Sequence, residues 1–296
     1  WLPSWRKMNG WGNYQMALFV ISHYQALTLL QARQRGLPQV HSSPDLALTS
    51  VVVQLDSAGA CFPTGEILDW ESLQAVAADP NACYKWAQGE LTKVQAFSEE
   101  TGRAFSLYPT AAAPTMLISG IPMHRIKDTD PHRDTLEKIR AARPLVGQVL
   151  DTATGLGYTA IEAARTAAHV TTIELDPAAL LMASDNPWSQ ELFYNPKITQ
   201  CMGDSFDVVA SLKDGGFTRI IHDPPAFALA GDLYATDFYL ELHRLLRSGG
   251  KLFHYIGDPD SKSGRSVTAG VIRRLEQAGF REITRAPRAF GVTAVK

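Results

Sequence analysis

Four stretches of this chain each bring an apolar, β-branched run to a polar or acidic end. They are Val149-Leu150-Asp151, His169 to Glu174, Ile198 to Met202 followed by Gly203-Asp204-Ser205, and Phe217 to His222 followed by Asp223-Pro224-Pro225. Buried parallel strands deliver such residues to the carboxyl edge of an open sheet, where α/β folds bind ligands. The first run continues as Thr152-Ala153-Thr154-Gly155-Leu156-Gly157-Tyr158-Thr159. Gly155 and Gly157 permit a tight turn with close backbone approach to a ligand, and the helical pattern opening at Tyr158 aims free N–H groups into the same crevice. Glu174 falls about 20 residues beyond the turn, where a carboxylate can accept hydrogen bonds from both hydroxyls of a ribose. His222 and His254 end adjacent strands and are candidates for a base or hydrogen-bond partner near neutral pH. Phe227, Tyr234, Tyr239 and Tyr255 are candidates to wall a substrate pocket.

The elements that must position these groups alternate as strand and helix from about residue 129 to the end. Helices are expected over Arg133–Ala142, Tyr158–Ala168, Pro177–Ser184, Ala235–Leu246 and Ser266–Ala278, with Arg247-Ser248-Gly249-Gly250 as a glycine-rich helix cap. Asn186-Pro187-Trp188 reads as a helix stop, because it follows a helix and not a strand. A strand over Lys251–Ile256 leads to the loop Gly257-Asp258-Pro259-Asp260. The last two strands, Glu282–Thr284 and Phe290–Val295, are too close for a crossover helix and must run antiparallel. Before residue 129 the pattern is β-rich: Leu46–Leu55, Leu91–Phe97, Arg103–Tyr108 with a hairpin loop at 98–102, and Thr115–Ser119, plus a helix over Trp70–Ala78 capped by Asp69. The expected division is a helical extension over 1–40, a small β-rich domain over 41–128 and an α/β domain over 129–296.

With 296 residues, 45% hydrophobic and 20% charged, the chain can bury a sizeable core, and its net charge of −2 provides no global attraction to nucleic acid. Cys61, Cys83 and Cys201 have no metal-ligand spacing and read as small core residues in a reducing, cytoplasmic setting, so no metal is expected. Trp1, Trp5 and Trp11 interleave with Arg6 and Lys7 ahead of a helical pattern over Gly12–Arg35. Its apolar stretch is broken by Ser22-His23-Tyr24-Gln25, short of the roughly 20 residues of a membrane span, and reads as a docking helix.

Residues 130 to 296 resemble the class I S-adenosylmethionine (SAM)-dependent methyltransferases, whose Rossmann-like sheet ends in an antiparallel hairpin. The resemblance implies that Asp151, Thr152, Ala153, Gly155, Gly157, Tyr158 and Thr159 surround the methionine part of SAM. It implies that Glu174, with Leu175, holds the ribose and that Asp204, with Ser205, meets the adenine. Asp223-Pro224-Pro225 is similar to the signature of amino-directed methyltransferases. Two positions depart: Ala153 stands where the family usually has its first glycine, and Ala226 follows Pro225, with the aromatic Phe227 one step late.

A second resemblance is to spermidine and spermine synthases. It is carried by Leu233-Tyr234-Ala235-Thr236-Asp237-Phe238-Tyr239, by Leu245-Leu246-Arg247-Ser248-Gly249-Gly250 and by the β-rich segment ahead of the sheet. Those enzymes use decarboxylated SAM and carry two acids in their catalytic loop, where this chain has Asp223 alone. Taken whole, the chain resembles an archaeal and cyanobacterial branch between the two families. The leading expectation is a SAM-dependent methyltransferase acting on a nitrogen acceptor, a small amine or a nucleobase, with S-adenosylhomocysteine as the spent cofactor. In it Asp223 and the Pro224 carbonyl orient the nitrogen, with Pro225 and His222 beside them. The alternatives are an aminopropyltransferase and a SAM-fold protein that binds without catalysis; a homodimer is compatible with each.

Overall fold

The computed structural model describes residues 18–227, 229–258 and 261–296. Trp1, Arg6, Lys7, Trp5, Trp11, the beginning of the expected helix Gly12–Arg35, and Pro259 and Asp260 of the expected loop lie outside the described residues. The first part of the chain runs β1 (Val20–Ser22), α1 (His23–Gln34), β2 (Gln39–Ser42), β3 (Val51–Leu55), β4 (Gly59–Cys61), β5 (Ile67–Asp69), α2 (Trp70–Ala77), β6 (Cys83–Ala87), β7 (Glu90–Lys93), β8 (Gln95–Ser98), β9 (Arg103–Tyr108), β10 (Thr115–Ile118) and β11 (Ile121–Pro122). These strands form three small sheets, ordered β1-β6-β7, β2-β3-β4-β5 and β11-β10-β9-β8. The second part runs α3 (Pro131–Ala142), β12 (Gln148–Asp151), α4 (Tyr158–Ala164), β13 (His169–Glu174), α5 (Pro177–Ser184), α6 (Glu191–Tyr194), β14 (Ile198–Met202), α7 (Ser205–Ser211), β15 (Phe217–His222), α8 (Thr236–Leu245), β16 (Leu246–Tyr255), α9 (Lys262–Gln277), β17 (Arg281–Ala286) and β18 (Gly291–Val295).

The large sheet is ordered β14-β13-β12-β15-β16-β18-β17. Its first five strands are parallel, and β18 pairs antiparallel with both β16 and β17. Successive strand residues point to opposite faces, and both faces are covered. Val149, Ile221 and Phe253 enter one core; Leu150, Ile220 and Leu252 enter the other. Strand order reverses at β12, whose neighbours are β13 and β15, and a crevice opens above the strand ends at such a switch point. The first core also takes in Val20, Cys83, Phe105 and Met116, so it is continuous with the β1-β6-β7 and β11-β10-β9-β8 sheets, while β2–β5, α1 and α2 pack around a third core with Phe19, Val53, Leu68 and Leu73.

Several elements differ from expectation for local reasons. Helix α1 begins at His23, not Gly12, because Ser22 and Gln25 form a reciprocal capping box while Val20–Ser22 pairs with β6. The expected division at residue 40 falls inside β2, and α1 packs on α2. The strand expected from Leu46 starts only at Val51, since Asp45 and Ser43 hold a turn that puts Leu46 and Ala47 at φ 55° and 66°. Leu91–Phe97 is two strands in different sheets; buried Val94 between them donates to Cys83 and accepts from Leu107. Gly249 and Gly250 do not cap α8. They lie within β16, at a register shift opposite Phe217–Arg219, and exchange backbone hydrogen bonds with Lys296. Helix α4 stops at Ala164, four residues early, and the Ala168 and His169 amides turn to the Gly147 carbonyl.

Candidate active site

The loop after β12 is held from both sides. The Thr152 amide donates to Ile221 of β15 at 3.1 Å and the Thr154 amide to Ile173 of β13 at 2.8 Å, so the backbone path is set by the two flanking strands. Gly155 and Gly157 take φ 51° and 78°, the left-handed region that side chains resist. The Gly155 amide donates to Glu174 Oε2 at 2.8 Å, and the Asp176 amide to Oε1 at 3.0 Å. Burial pushes the Glu174 carboxyl up to about 7 against these two donors. Asp176 caps α5 and accepts from Thr101 of the N-terminal sheet at 2.6 Å. Asp204 caps α7 through the Phe206 amide, and the Ser205 hydroxyl donates to the Thr152 carbonyl at 2.6 Å.

These residues face a cavity of about 640 Å³, within the range of small-molecule sites. Thr152, Ala153, Gly155, Tyr158, Thr159, Glu174, Leu175, Asp204, Ser205, Asp223, Pro224 and Pro225 line it. The opposite wall comes from the sheet β8 to β11 and its exit: Thr101, Arg103, Phe105, Met116, Ile118, Met123 and His124. Leu233 and Asp237, near the start of α8, close the side.

Asp223 sits at the end of β15 with a neighbour that sequence reading missed. The Lys138 ammonium of α3 lies 2.7 Å from Asp223 Oδ2 and 2.9 Å from Asp134 Oδ2, with the Tyr255 ring 4.3 Å below it. Lys138 is fully buried. Burial works against its charge, but Asp223 and Asp134 more than offset this and hold it well above the ordinary lysine range. Burial raises the Asp223 carboxyl above the ordinary aspartate range, and the Lys138 ammonium beside it opposes that rise. A signal was present in the sequence. Asp134 and Lys138 fall on the same helical stripe as Thr135, Ile139 and Ala142, the buried face of α3.

Other candidates fall elsewhere. Asp151 is fully buried behind the loop, where Thr159 and Thr172 donate to one oxygen at 2.9 and 3.1 Å, and burial lifts its carboxyl to about 7. Gly157 packs against Leu192, away from the cavity lining. His222 does not reach the cavity: Nε2 donates to the Leu233 carbonyl at 2.9 Å, leaving Nδ1 to accept from Thr152 at 2.6 Å. Burial keeps this ring neutral, lowering it to about 3. His254, 4.3 Å from it ring to ring, accepts from the Tyr239 hydroxyl at 2.8 Å and is buried as deeply.

The expected substrate-pocket residues Phe227, Tyr234, Tyr239, His254 and Tyr255 are absent from the cavity lining. Tyr234 and Tyr239 are core residues, and the Tyr234 hydroxyl braces the loop through the Pro225 carbonyl at 3.1 Å. Phe227 is half exposed and edge-on to Tyr234. Tyr255 underlies Lys138, and burial pushes its phenol up to about 12. For His222, period-two alternation could not separate the two faces, because all six residues of β15 are buried.

No family model matches the chain. Among solved structures it is similar to spermidine synthase from Thermotoga maritima, with a TM-score of 0.54, 14% identity, and 71% of this chain and 77% of that one covered. A spermidine synthase in complex with the transition state analogue AdoDATO gives 0.55 at 15% identity, over 69% and 74% of the two chains. MNMC2 from Aquifex aeolicus gives 0.50 at 18% identity, over 67% and 72%. The fold is that of the class I SAM-dependent transferases, Rossmann-like with an antiparallel C-terminal hairpin and small β-rich sheets ahead of it. In sequence the chain is 43% identical over 248 residues to the uncharacterized protein MJ1233 of Methanocaldococcus jannaschii, covering 83% of this chain and 84% of that one, and it belongs to the same family.

Proposed function

We propose that the protein is a SAM-dependent methyltransferase whose acceptor is a nitrogen held at Asp223-Pro224-Pro225. One observation carries the reading: the Asp223 carboxylate lines the same cavity as the Gly155 loop, Glu174 and Asp204, at the same edge of the sheet. Glu174 accepts the ribose hydroxyls with the lone pairs its two amide donors leave, and Asp204 accepts from the adenine amino group. The bound cofactor supplies a methyl group already activated by its sulfonium, so the protein's task is alignment, which can lower a barrier by roughly 7–11 kcal/mol. Asp223 accepts an N–H of the acceptor and turns the nitrogen lone pair toward the cofactor. The Pro224 carbonyl, which accepts no hydrogen bond among the described residues, shares this task. His222 takes no part, since both its ring nitrogens are engaged. The acceptor carries positive charge in solution, and its reacting nitrogen attacks as the free amine after leaving its proton to solvent: carboxylates from Glu174 to Asp237 line the cavity and favour such a cation, and Arg103 is the one guanidinium facing them among the described residues.

Aminopropyl transfer from decarboxylated SAM is the second reading. The Thermotoga match covers 71% of the chain, more than residues 129–296 supply (168 of 296), so it includes part of the N-terminal sheets. Calorimetric titration with S-adenosylhomocysteine and with 5′-methylthioadenosine separates the readings. Tighter binding of S-adenosylhomocysteine is expected, with Asp223→Ala leaving that affinity within about threefold, because Asp223 addresses the acceptor. Tighter binding of methylthioadenosine shifts the reading to aminopropyl transfer, and binding of neither leaves a protein that uses the fold without catalysis.

A further inference from the structure

The Lys138 ammonium donates to Asp223 Oδ2 at 2.7 Å and is ion-paired with Asp134, whose Oδ2 lies 2.9 Å away. Asp223 and Asp134 occupy two directions, and the Tyr255 ring faces it from a third side. Asp134 is itself fixed: its Oδ1 accepts from Arg125 at 3.0 Å, and Arg125 also donates to the Arg288 carbonyl while its guanidinium rests on Phe290, 3.6 Å from the ring centre. Charges therefore alternate from the C-terminal hairpin to the cavity: Arg125, Asp134, Lys138, Asp223. The segment between β11 and α3 supplies Arg125, helix α3 supplies both Asp134 and Lys138, and the residue after β15 supplies Asp223, while the β17–β18 turn holds Arg125 in place. The row is neutral only when Asp223 is ionised. Asp223 Oδ2 is taken by Lys138, whereas Asp223 itself lines the cavity.

We propose that Lys138, backed by Asp134 and Arg125, is a positioning residue for transfer: it clamps one oxygen of Asp223 so that the other stays turned toward the acceptor nitrogen. The inference rests on the reading of Asp223 as the acceptor's partner. A carboxylate enclosed at a strand end, with Asp151, Tyr234, Tyr255 and Asp134 as its titratable neighbours, would otherwise take up a proton and become a donor. Protonated, it could not accept the N–H of an amine. Lys138 prevents this, and its burial between two acids leaves it no freedom to reach the cavity as a group of its own.

The test follows the Asp223 side-chain carboxyl by NMR in protein labelled with ¹³C-aspartate, its resonance assigned by loss in Asp223→Asn. Lys138→Met removes the cation and should move the Asp223 midpoint up by about one unit or more. Asp134→Asn removes a competing acid and should move it down. Opposite shifts from two residues on one helix are not what loss of packing gives, and Asp134→Asn reads the coupling even where Lys138→Met fails to fold. In parallel, transfer of labelled methyl from SAM to a panel of primary and secondary amines is measured across pH. For Lys138→Met the rate near pH 7 should fall about a hundredfold and recover toward alkaline pH, with S-adenosylhomocysteine affinity within about threefold of wild type. If the wild type transfers and neither midpoint moves, or if the loss is equal at every pH, the positioning role is overturned. If both midpoints shift but the wild type transfers to no amine, the reading of the site fails, and Lys138 is left as an ion-pair partner alone.

Discussion

Each oxygen of the Glu174 carboxylate accepts one backbone N–H, from Gly155 and from Asp176, and keeps a lone pair for a ligand hydroxyl. Because burial places its ionisation at about 7, the empty site is part protonated at neutral pH. A ribose binds the carboxylate form, so below pH 7 a proton must leave before binding. Affinity for S-adenosylhomocysteine should therefore fall about tenfold per unit below pH 7 and level off above about pH 8. Calorimetry from pH 5.5 to 8.5 checks this, with Glu174→Gln expected to flatten the slope; a flat wild-type profile would sink it. For the empty protein the sign is reversed. A raised carboxyl contributes stability below the ordinary glutamate range, and that contribution is lost as pH rises through 7. At this scale the sequence was legible where a cavity-lining residue stands at a strand end followed by a special turn, as at Glu174 and Asp223. At Lys138 the helical stripe marked burial but not the partner Asp223, 85 residues away, and at His222 strand periodicity carries no face label.

The turn between β12 and α4 shows how an element divides its glycines. At Gly157 a Cβ would lie 2.7 Å from the Leu192 side chain as well as demanding φ 78°; at Gly155 nothing stands within 4 Å. Gly157→Ala should cost about 2 kcal/mol, strain and crowding together, and Gly155→Ala about 1 kcal/mol from strain alone. Denaturant melts of the two variants decide this: equal losses would mean that Leu192 yields without cost. The parallel strands β12 to β15 were read to within a residue because each is a run bounded by turn chemistry, whereas β16 starts five residues before its expected Lys251. The N-terminal strands were harder, since Val94 changes sheets without any breaker residue to mark the change. Gly249-Gly250 misled for the opposite reason: a glycine pair marks a helix end and a strand irregularity equally well, and the pairing with Lys296 chose the strand.

Across the whole molecule the two parts of the chain are fastened around the cavity. Thr101 donates to Asp176, Tyr158 to the Pro114 carbonyl at 2.9 Å, Trp188 to the Leu46 carbonyl at 3.0 Å, and Lys85 pairs with Asp185. With the first core shared between the large sheet and the β1-β6-β7 and β8–β11 sheets, these should unfold in a single transition. S-adenosylhomocysteine at a hundredfold excess over its dissociation constant should stabilise the protein by about 2.7 kcal/mol. Amide exchange should then slow in β9 and β10 as well as in β13; protection confined to β12–β15 would show that the N-terminal sheet is not coupled to the site. Among the described residues, no helix is long and apolar enough to cross a membrane. The sequence announced a β-rich part and an α/β part, but not that the first forms a wall of the second's cavity, because that contact is made by side chains distant in the chain.

Phe105, Met116, Ile118 and Met123 hang from a sheet that supplies none of the loop residues after β12, β13, β14 and β15. On the proposed reading, the groups that grip the cofactor and orient the acceptor nitrogen thus lie in the later part of the chain, while an apolar wall of the shared cavity is written in the earlier part. Two of those four side chains are methionines, which adapt their shape to a neighbour more readily than branched residues do. A lineage, or a library, can rewrite these positions and select a new acceptor while the cofactor grip is inherited intact.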